Sequence, residues 1–231
     1  MTSPHIHIHP ASRITAVRPA LIWGARGHAK VLAEFLPQRG FRVAAVLDND
    51  SSVASPIAGF DVLHGRAGLD EFLASCTSTD LAGFVAIGGQ HGGVRSEIAE
   101  LFRSLGIDTP TITHPTAFVA TDATIGEGTQ ILANASVCTE ARIGDSCIIN
   151  TGASVDHECI VGNGVHIAPG VTVAGCVEIR KRAFIGAGAT ILPRLTIGKD
   201  AVIGAGAVVT KNMPAGAVAW GNPARVMRSA A

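Results

Sequence analysis

The chain has no excess of charge of either sign. Its 18 basic and 18 acidic residues cancel to a formal net charge of zero at pH 7, and no run of like charges interrupts the balance. That excludes the broad basic footprint with which proteins hold nucleic acid, and equally a polybasic patch for anionic membranes. Small acidic metabolites stay open, because they need local charge only. No apolar stretch approaches the roughly 20 uninterrupted residues of a membrane span, and the first residues lack an apolar signal core, so the expected setting is the cytoplasm, away from any bilayer. The five cysteines are odd in number and include no Cys-x-x-Cys pair, so they mark no paired framework.

What the chain has instead is a period. From Val119 to Val209 every sixth residue is Val or Ile, sixteen positions in one register. Six is neither the 3.6 of an amphipathic helix nor the alternation of a two-sided sheet. It is the repeat of a parallel β-helix, in which each short strand turns a corner and stacks on the equivalent strand of the next coil. The position two residues earlier is compact almost throughout, as at Ala117, Ala123, Ala135, Ala153 and Ala189, so one small and one large side chain are expected to point inward together. Cys147 and Cys159 share that compact position and are expected to act as small hydrophobes, their thiols raised by apolar surroundings and unsuited to nucleophilic work. Cys138 and Cys176 fall elsewhere in the repeat and are expected to be more accessible, with no neighbouring pattern that marks a nucleophile. Gly126, Gly144, Gly162, Gly186, Gly198 and Gly204 follow the aliphatic position, where a tight corner would need freedom from Cβ constraints.

The repeat divides the chain near Pro110–Pro115. The expected organisation is an extension over 1–18, an α/β domain with a small parallel, Rossmann-like sheet over 19–112, and a β-helix domain with its C-terminal tail over 113–231. Ala20-Leu21-Ile22-Trp23 reads as a buried strand, followed by Gly24-Ala25-Arg26-Gly27-His28 and a helix through Leu36. Arg42 to Leu47 reads as a second strand ending at Asp48-Asn49-Asp50. Leu81 to Ile87 reads as a third, ending at Gly88-Gly89 before a helix from Val94 to Leu105. Alternation of this kind implies a nucleotide-binding sheet. In the pattern G-x-G-x-x-G begun at Gly24, the second and third glycines would fall on Arg26 and Ala29, which disfavours a conventional NAD site. A phosphate over the helix start with Arg26 beside it, and a ribose or base on Asp48, remain compatible with the residues. So does a plain strand-to-helix turn beside a solvated acidic loop. His5, His7 and His9 alternate near the N-terminus and would face one side of an extended segment, a conceivable metal site.

One coil of the repeat differs from the rest. Asn150-Thr151-Gly152-Ala153-Ser154-Val155-Asp156-His157-Glu158-Cys159 sets a His two residues past the inward Val155, where it should reach the outer surface, with Glu158 adjoining. His166 follows nine residues on. An imidazole can take a proton from an attacking amine or hydroxyl while a carboxylate orients the ring, a division of labour that suits acyl transfer.

The segment from Asn150 to Glu158, followed by His166-Ile167-Ala168-Pro169-Gly170, resembles the bacterial sugar O-/N-acetyltransferases of the hexapeptide-repeat class. These include sialic acid O-acetyltransferases and N-acetyltransferases for nucleotide-linked 4-amino-4,6-dideoxysugars such as bacillosamine and perosamine precursors. The resemblance runs from Ala20 to Arg228 and takes in Gly24-x-x-Gly27-His28-x-Lys30-Val31, Ala86-Ile87-Gly88 with Arg95, His114-Pro115 and Gly221-Asn222-Pro223-Ala224. It implies a left-handed β-helix, a homotrimer with active sites between subunits, acetyl-CoA as co-substrate and no metal. By this resemblance His157 is the general base, Glu158 its orienting carboxylate, Asn150 and His166 line the site, and Gly175 N–H is an oxyanion donor. Acetyl-CoA would run past His166, Gly175, Gly186, Ala187, Gly204 and Ala205 toward Trp220, Asn222 and Pro223. The nucleotide-sugar would rest on Gly24, Arg26, Gly27, His28, Asp48, Asn49 and Arg95, with His91 near the base. The favoured activity is N-acetylation of the sugar's 4-amino group for surface glycan biosynthesis. A sialic acid O-acetyltransferase, a zinc lyase of the carbonic anhydrase type and a non-catalytic scaffold are the alternatives.

Overall fold

The computed structural model describes residues 17–228, so the expectation for His5, His7 and His9 lies outside the described residues. The N-terminal unit is a four-stranded parallel sheet in the order β3-β2-β1-β4, formed by β1 (Arg18–Trp23), β2 (Phe41–Asp48), β3 (Val62–His64) and β4 (Ala82–Val85). Helices α1 (Gly27–Phe35), α2 (Gly65–Ser75) and α3 (Gly92–Ser104) cover it. The central strand β1 buries Ala20, Leu21, Ile22 and Trp23, as a parallel strand coated on both faces must. β3 and α2 have no counterpart in the sequence reading. β3 is three residues long, and α2 fully buries only Gly68 and Leu69, so neither produces a readable period. No helix among the described residues is long and apolar enough to cross a membrane.

A left-handed β-helix follows, a triangular prism whose three parallel sheets stack two-residue strands one coil above another. Pairing advances by eighteen residues per coil: Ser136 pairs with Ser154, Ser154 with Thr172, and Thr172 with Thr190. The first strand is Ile112–Thr113, which pairs with Gln130–Ile131 and straddles the expected boundary at 112/113. The hexad aliphatics from Ile131 to Val209 are all buried in one core, and only Val119 and Ile125, at the open end, are partly covered. Cys147 and Cys159 lie in that core, with both thiols pushed up to about 11 chiefly by burial.

The corners differ from the sequence reading. Left-handed backbone (positive φ) occurs at every sixth residue from Gly128 to Gly206, three positions after each aliphatic, and non-glycine residues such as Asn134, Glu140, Ser146, Glu158 and Cys176 adopt it as well. The glycines directly after the aliphatics have no positive φ and are bare for another reason. A Cβ at Gly186 would sit 2.6 Å from Ala205 N, and one at Gly144 would sit 2.8 Å from Asn163 N, so a side chain there would collide with the next coil. Close stacking, not backbone freedom, selects glycine at these positions.

The N-terminal unit docks on the eight-stranded face of the prism. Ile112, Leu132 and Ile148 join the apolar core beneath β1, β2 and β4. Buried Gln130 donates from Nε2 to Val85 O at 2.8 Å, and its Oε1 meets His28 Nε2 at 2.7 Å. Arg95, expected at the sugar nucleotide, is instead 1 % exposed, and its guanidinium donates to Ser146 O, Ile87 O and Gly164 O at 3.1, 3.0 and 2.7 Å. Those bonds leave the side chain tying α3 and the end of β4 to two coils of the prism. Burial lowers its pKa to about 10 but leaves it charged at neutral pH.

Two expectations follow. Arg95→Ala should cost about 3 kcal/mol, because three buried carbonyls lose a charged donor, and should lower the urea midpoint accordingly. Acid should also loosen the protein. Buried His166 has its pKa depressed to about 3, first by burial and then by Arg95 and His28, whereas an unfolded histidine titrates near 6.5. The unfolded state therefore takes up a proton that the native state refuses, and stability falls below about pH 6.5 by up to about 1.4 kcal/mol per pH unit for this one group. Urea midpoints between pH 7 and pH 4 should show that slope, and His166→Gln should flatten it.

Candidate active site

The chain runs from β1 outward to β2 and β3, then returns to place β4 on the other side of β1. Ligands of open α/β sheets bind at such a reversal, beyond the carboxyl ends of the strands. A cavity of about 440 Å³ lies there, bounded by Gly24 and His28 after β1, Asp48 at the end of β2, Ala86 to Gly88 after β4, and His91 and Val94 at the start of α3, with Arg26 at its rim. Gly24 lets the two strand ends approach: its φ is +113°, and a Cβ would lie 2.6 Å from Ala86 O. Asp48 accepts Ala25 N–H at 2.7 Å and Asp50 N–H at 3.0 Å, so it shapes the loop as well as facing the cavity. Arg26 is exposed and pairs with Asp50 at 2.9 Å. The pKa of His28 is lowered, by burial first, which leaves a neutral ring at the cavity floor. Gly27 opens α1 and Asn49 lies beside Gly65, and neither bounds the cavity. Val94 and Gln130 were not foreseen. Gln130 has no sequence signal, since its importance comes from facing outward beneath a second unit.

At the cavity wall, Gly88 lies against the His166 ring of the prism. Gly89 N–H donates to His166 Nδ1 at 2.8 Å, which makes Nδ1 the acceptor and leaves the ring hydrogen on Nε2. The Asn150 side-chain amide lies 3.1 Å from Nε2, and the edge of the His166 ring meets Phe184. Asn150 also stands on an edge of the prism. The paired residues Ile149, Ile167, Ile185, Ile203 and Ala219 stack in register, so the residues after them form a column: Asn150, Ala168, Gly186, Gly204 and Trp220. Ala187 and Ala205 follow in the neighbouring column. Four coil steps of about 4.8 Å set Asn150 and Trp220 roughly 19 Å apart along this edge. Between them the edge is almost bare of side chains, and Trp220 stands half exposed at its far end. Asn222 and Pro223 lie in the turn that returns the chain antiparallel to the last coil.

His157 stands on the next edge of the same coil, past the strand Ser154–Val155. Its ring is 46 % exposed, outside the prism. Nδ1 lies 2.9 Å from Glu158 Oε2, and the hydrogen bond from His157, reinforced by one from the Cys176 thiol, holds the Glu158 carboxyl below the usual carboxylate range. An ionised Glu158 accepts the Nδ1 hydrogen and leaves the Nε2 lone pair free. The ring lies flat over Gly175 of the following coil, where a Cβ would overlap it. Gly175 N–H has no acceptor among the described residues, while its carbonyl accepts Arg194 N–H at 3.1 Å. Within one chain, then, Asn150 and His166 lie together on the side that meets Gly88 and Gly89, and His157, Glu158 and Gly175 share another edge.

Known proteins are similar to this chain in sequence and fold. Residues 20–102 match the PglD N-terminal domain model, and residues 140–175 and 176–211 match the bacterial transferase hexapeptide (six repeats) model. Among curated proteins none matches the sequence. The crystal structure of PerB from Caulobacter crescentus, in complex with CoA and GDP-perosamine, is 35% identical over 92% of this chain and 99% of its own, with a TM-score of 0.82. The acetyltransferase domain of PglB from Neisseria gonorrhoeae, in complex with acetyl coenzyme A, is 32% identical over 91% of this chain and 99% of its own, with a TM-score of 0.79. WeeI from Acinetobacter baumannii AYE is 29% identical over 91% of this chain and 100% of its own, with a TM-score of 0.80. The chain belongs to the hexapeptide-repeat acyltransferases that act on nucleotide-linked aminosugars.

Proposed function

We propose that the protein transfers an acetyl group from acetyl-CoA to the 4-amino group of a nucleotide-linked 4-amino-4,6-dideoxysugar, for use in a surface glycan. The observation that carries this reading is His157, outside the prism, bonded through Nδ1 to an ionised Glu158 and free at Nε2. The similarity to PerB bound to CoA and GDP-perosamine supports the choice of an aminosugar over a sialic acid hydroxyl. This reading puts the enzyme in the cytoplasm, the compartment that supplies acetyl-CoA.

The nucleotide would occupy the cavity at the β1/β4 reversal, with Asp48 and His91 near base and ribose and Arg26 near phosphate. Acetyl-CoA would lie along the bare edge of Gly186, Ala187, Gly204 and Ala205, its nucleotide end beside Trp220, Asn222 and Pro223. The sugar amine attacks the thioester carbonyl, and Nε2 of His157 accepts the proton that the amine loses. Gly175 N–H faces the oxyanion of the tetrahedral adduct. Collapse breaks the C–S bond, and the proton passes from His157 to the departing sulfur, giving CoA and the amide. Asn150 and His166, whose Nε2 carries hydrogen, line the acceptor side.

The base and the acceptor side occupy different edges of one prism, so a working site needs a second copy. We infer a homotrimer in which the His157 edge of one protomer faces the Asn150 edge of its neighbour. A threefold assembly closes this heterologous contact without leaving an open end.

His157→Ala should lower kcat by at least about 100-fold with CoA affinity nearly unchanged, measured as CoA release and by calorimetry. Gly175→Ala should act on the same step by displacing the ring, lowering kcat while the midpoint of unfolding moves little. A panel of UDP-, GDP- and dTDP-linked 4-aminosugars beside free sialic acid identifies the acceptor, and turnover with sialic acid alone would replace the amine reading with the hydroxyl one. Co-expressing His157→Ala with Asn150→Ala chains should restore about a quarter of wild-type activity, the share of sites with both residues intact in a random trimer. No recovery in the mixed oligomer would place the whole site within one chain.

A further inference from the structure

Above Glu158 the next coil carries Cys176, whose Sγ lies 3.5 Å from Glu158 Oε2. His157 Nδ1 is 2.9 Å from the same oxygen. The imidazole, carboxylate and thiol offer ligand atoms that all fall within 4.8 Å of one another. A tetrahedral cation with bonds of about 2.0–2.3 Å sets its ligands roughly 3.3–3.8 Å apart, so small rotations of these three side chains would enclose one. The backbone beneath them is already fixed. Glu158 and Cys176 both have left-handed φ, 57° and 60°, at equivalent corners of adjacent coils, and Cys176 N–H donates to His157 O at 2.9 Å. The site opens to solvent, since Glu158 is exposed and the other two are half-buried.

We propose that His157, Glu158 and Cys176 together bind a borderline-soft divalent cation such as zinc, and that the bound cation inhibits acetyl transfer. One nitrogen, one sulfur and one carboxylate oxygen form a donor set that zinc accepts, with a fourth position left for water. Without a cation, the thiol donates to Glu158, and burial together with that carboxylate holds it protonated. A cation replaces this proton: the S–H bond breaks, a sulfur–metal bond forms, and one proton leaves to solvent. Asp156 adds negative charge to the neighbourhood, and Arg194 opposes it. Inhibition follows from the ring's two nitrogens. A cation on Nδ1 forces the hydrogen onto Nε2, and an Nε2–H can no longer accept a proton from an amine.

The inhibitory half of this proposal rests on His157 being the base; the binding half does not. The test uses full-length protein with His5, His7 and His9 replaced by Ala, so that zinc uptake reports this cluster. Zinc competition against a chromophoric chelator should show one equivalent bound with release of one proton, and cobalt(II) should give a thiolate-to-metal absorption band. Cys176→Ala should weaken zinc binding at least about tenfold, abolish the cobalt band, and leave its own metal-free turnover, whatever its level, insensitive to zinc. Absence of zinc binding, binding undiminished in Cys176→Ala, or binding that leaves wild-type turnover unchanged would overturn the proposal. Binding is read without either substrate, so an enzyme inactive on every aminosugar would refute the proposed function without touching the metal site.

Discussion

Everything at the active edges depends on the vertical stacking of eighteen-residue coils. Each strand contributes two residues, and each corner turns through a left-handed residue three positions after the inward aliphatic, so equivalent side chains lie directly above one another. That register places the His157 ring over Gly175 and Glu158 beneath Cys176 with no flexible loop involved. The same constraint leaves the Gly186–Gly204 edge bare, because any Cβ there would strike the coil above. A core of Val and Ile thus decides where chemistry can stand, although none of its own atoms reaches a substrate.

The second constraint is the docking of the N-terminal unit. Arg95, Gln130 and His166 are buried side chains, and each makes at least one hydrogen bond across the junction. Buried polar groups tolerate little displacement, since each lost partner leaves an unsatisfied donor or acceptor. The cavity at the β1/β4 reversal is therefore held at a fixed height against Asn150 and His166. A substrate with a nucleotide at one end and an amine at the other needs such a fixed span.

The prism was legible because its signal repeats sixteen times and survives any local irregularity. His157 and Glu158 were legible as departures from that repeat, and burial of Cys147 and Cys159 followed from their place in it. The N-terminal unit was read less fully. β3 and α2 carry too few buried residues to establish a period. Arg95 was placed at the sugar nucleotide only by the family resemblance. Its true partners are carbonyls of Ser146 and Gly164, some 50 and 70 residues on, which no local pattern encodes. The glycines after the aliphatics were read as needing backbone freedom, whereas contact with the next coil selects them, and that contact is visible only once the coils are stacked.

Three histidines show how environment divides one side-chain type among tasks. His28 and His166 are buried against Gln130 and Gly89, and burial depresses both pKa values, so neither accepts a proton at neutral pH. They serve as neutral hydrogen-bonding groups that join the two units. His157 differs in both respects that matter to a base. It meets solvent, and its partner is an ionised carboxylate that accepts the Nδ1 hydrogen and orients the ring. Moving the carboxylate to either buried ring would not create an equivalent base, because charging that ring would still require desolvating it next to Arg95. The proposed base stands at an open prism edge, which in the proposed trimer a neighbouring protomer would cover.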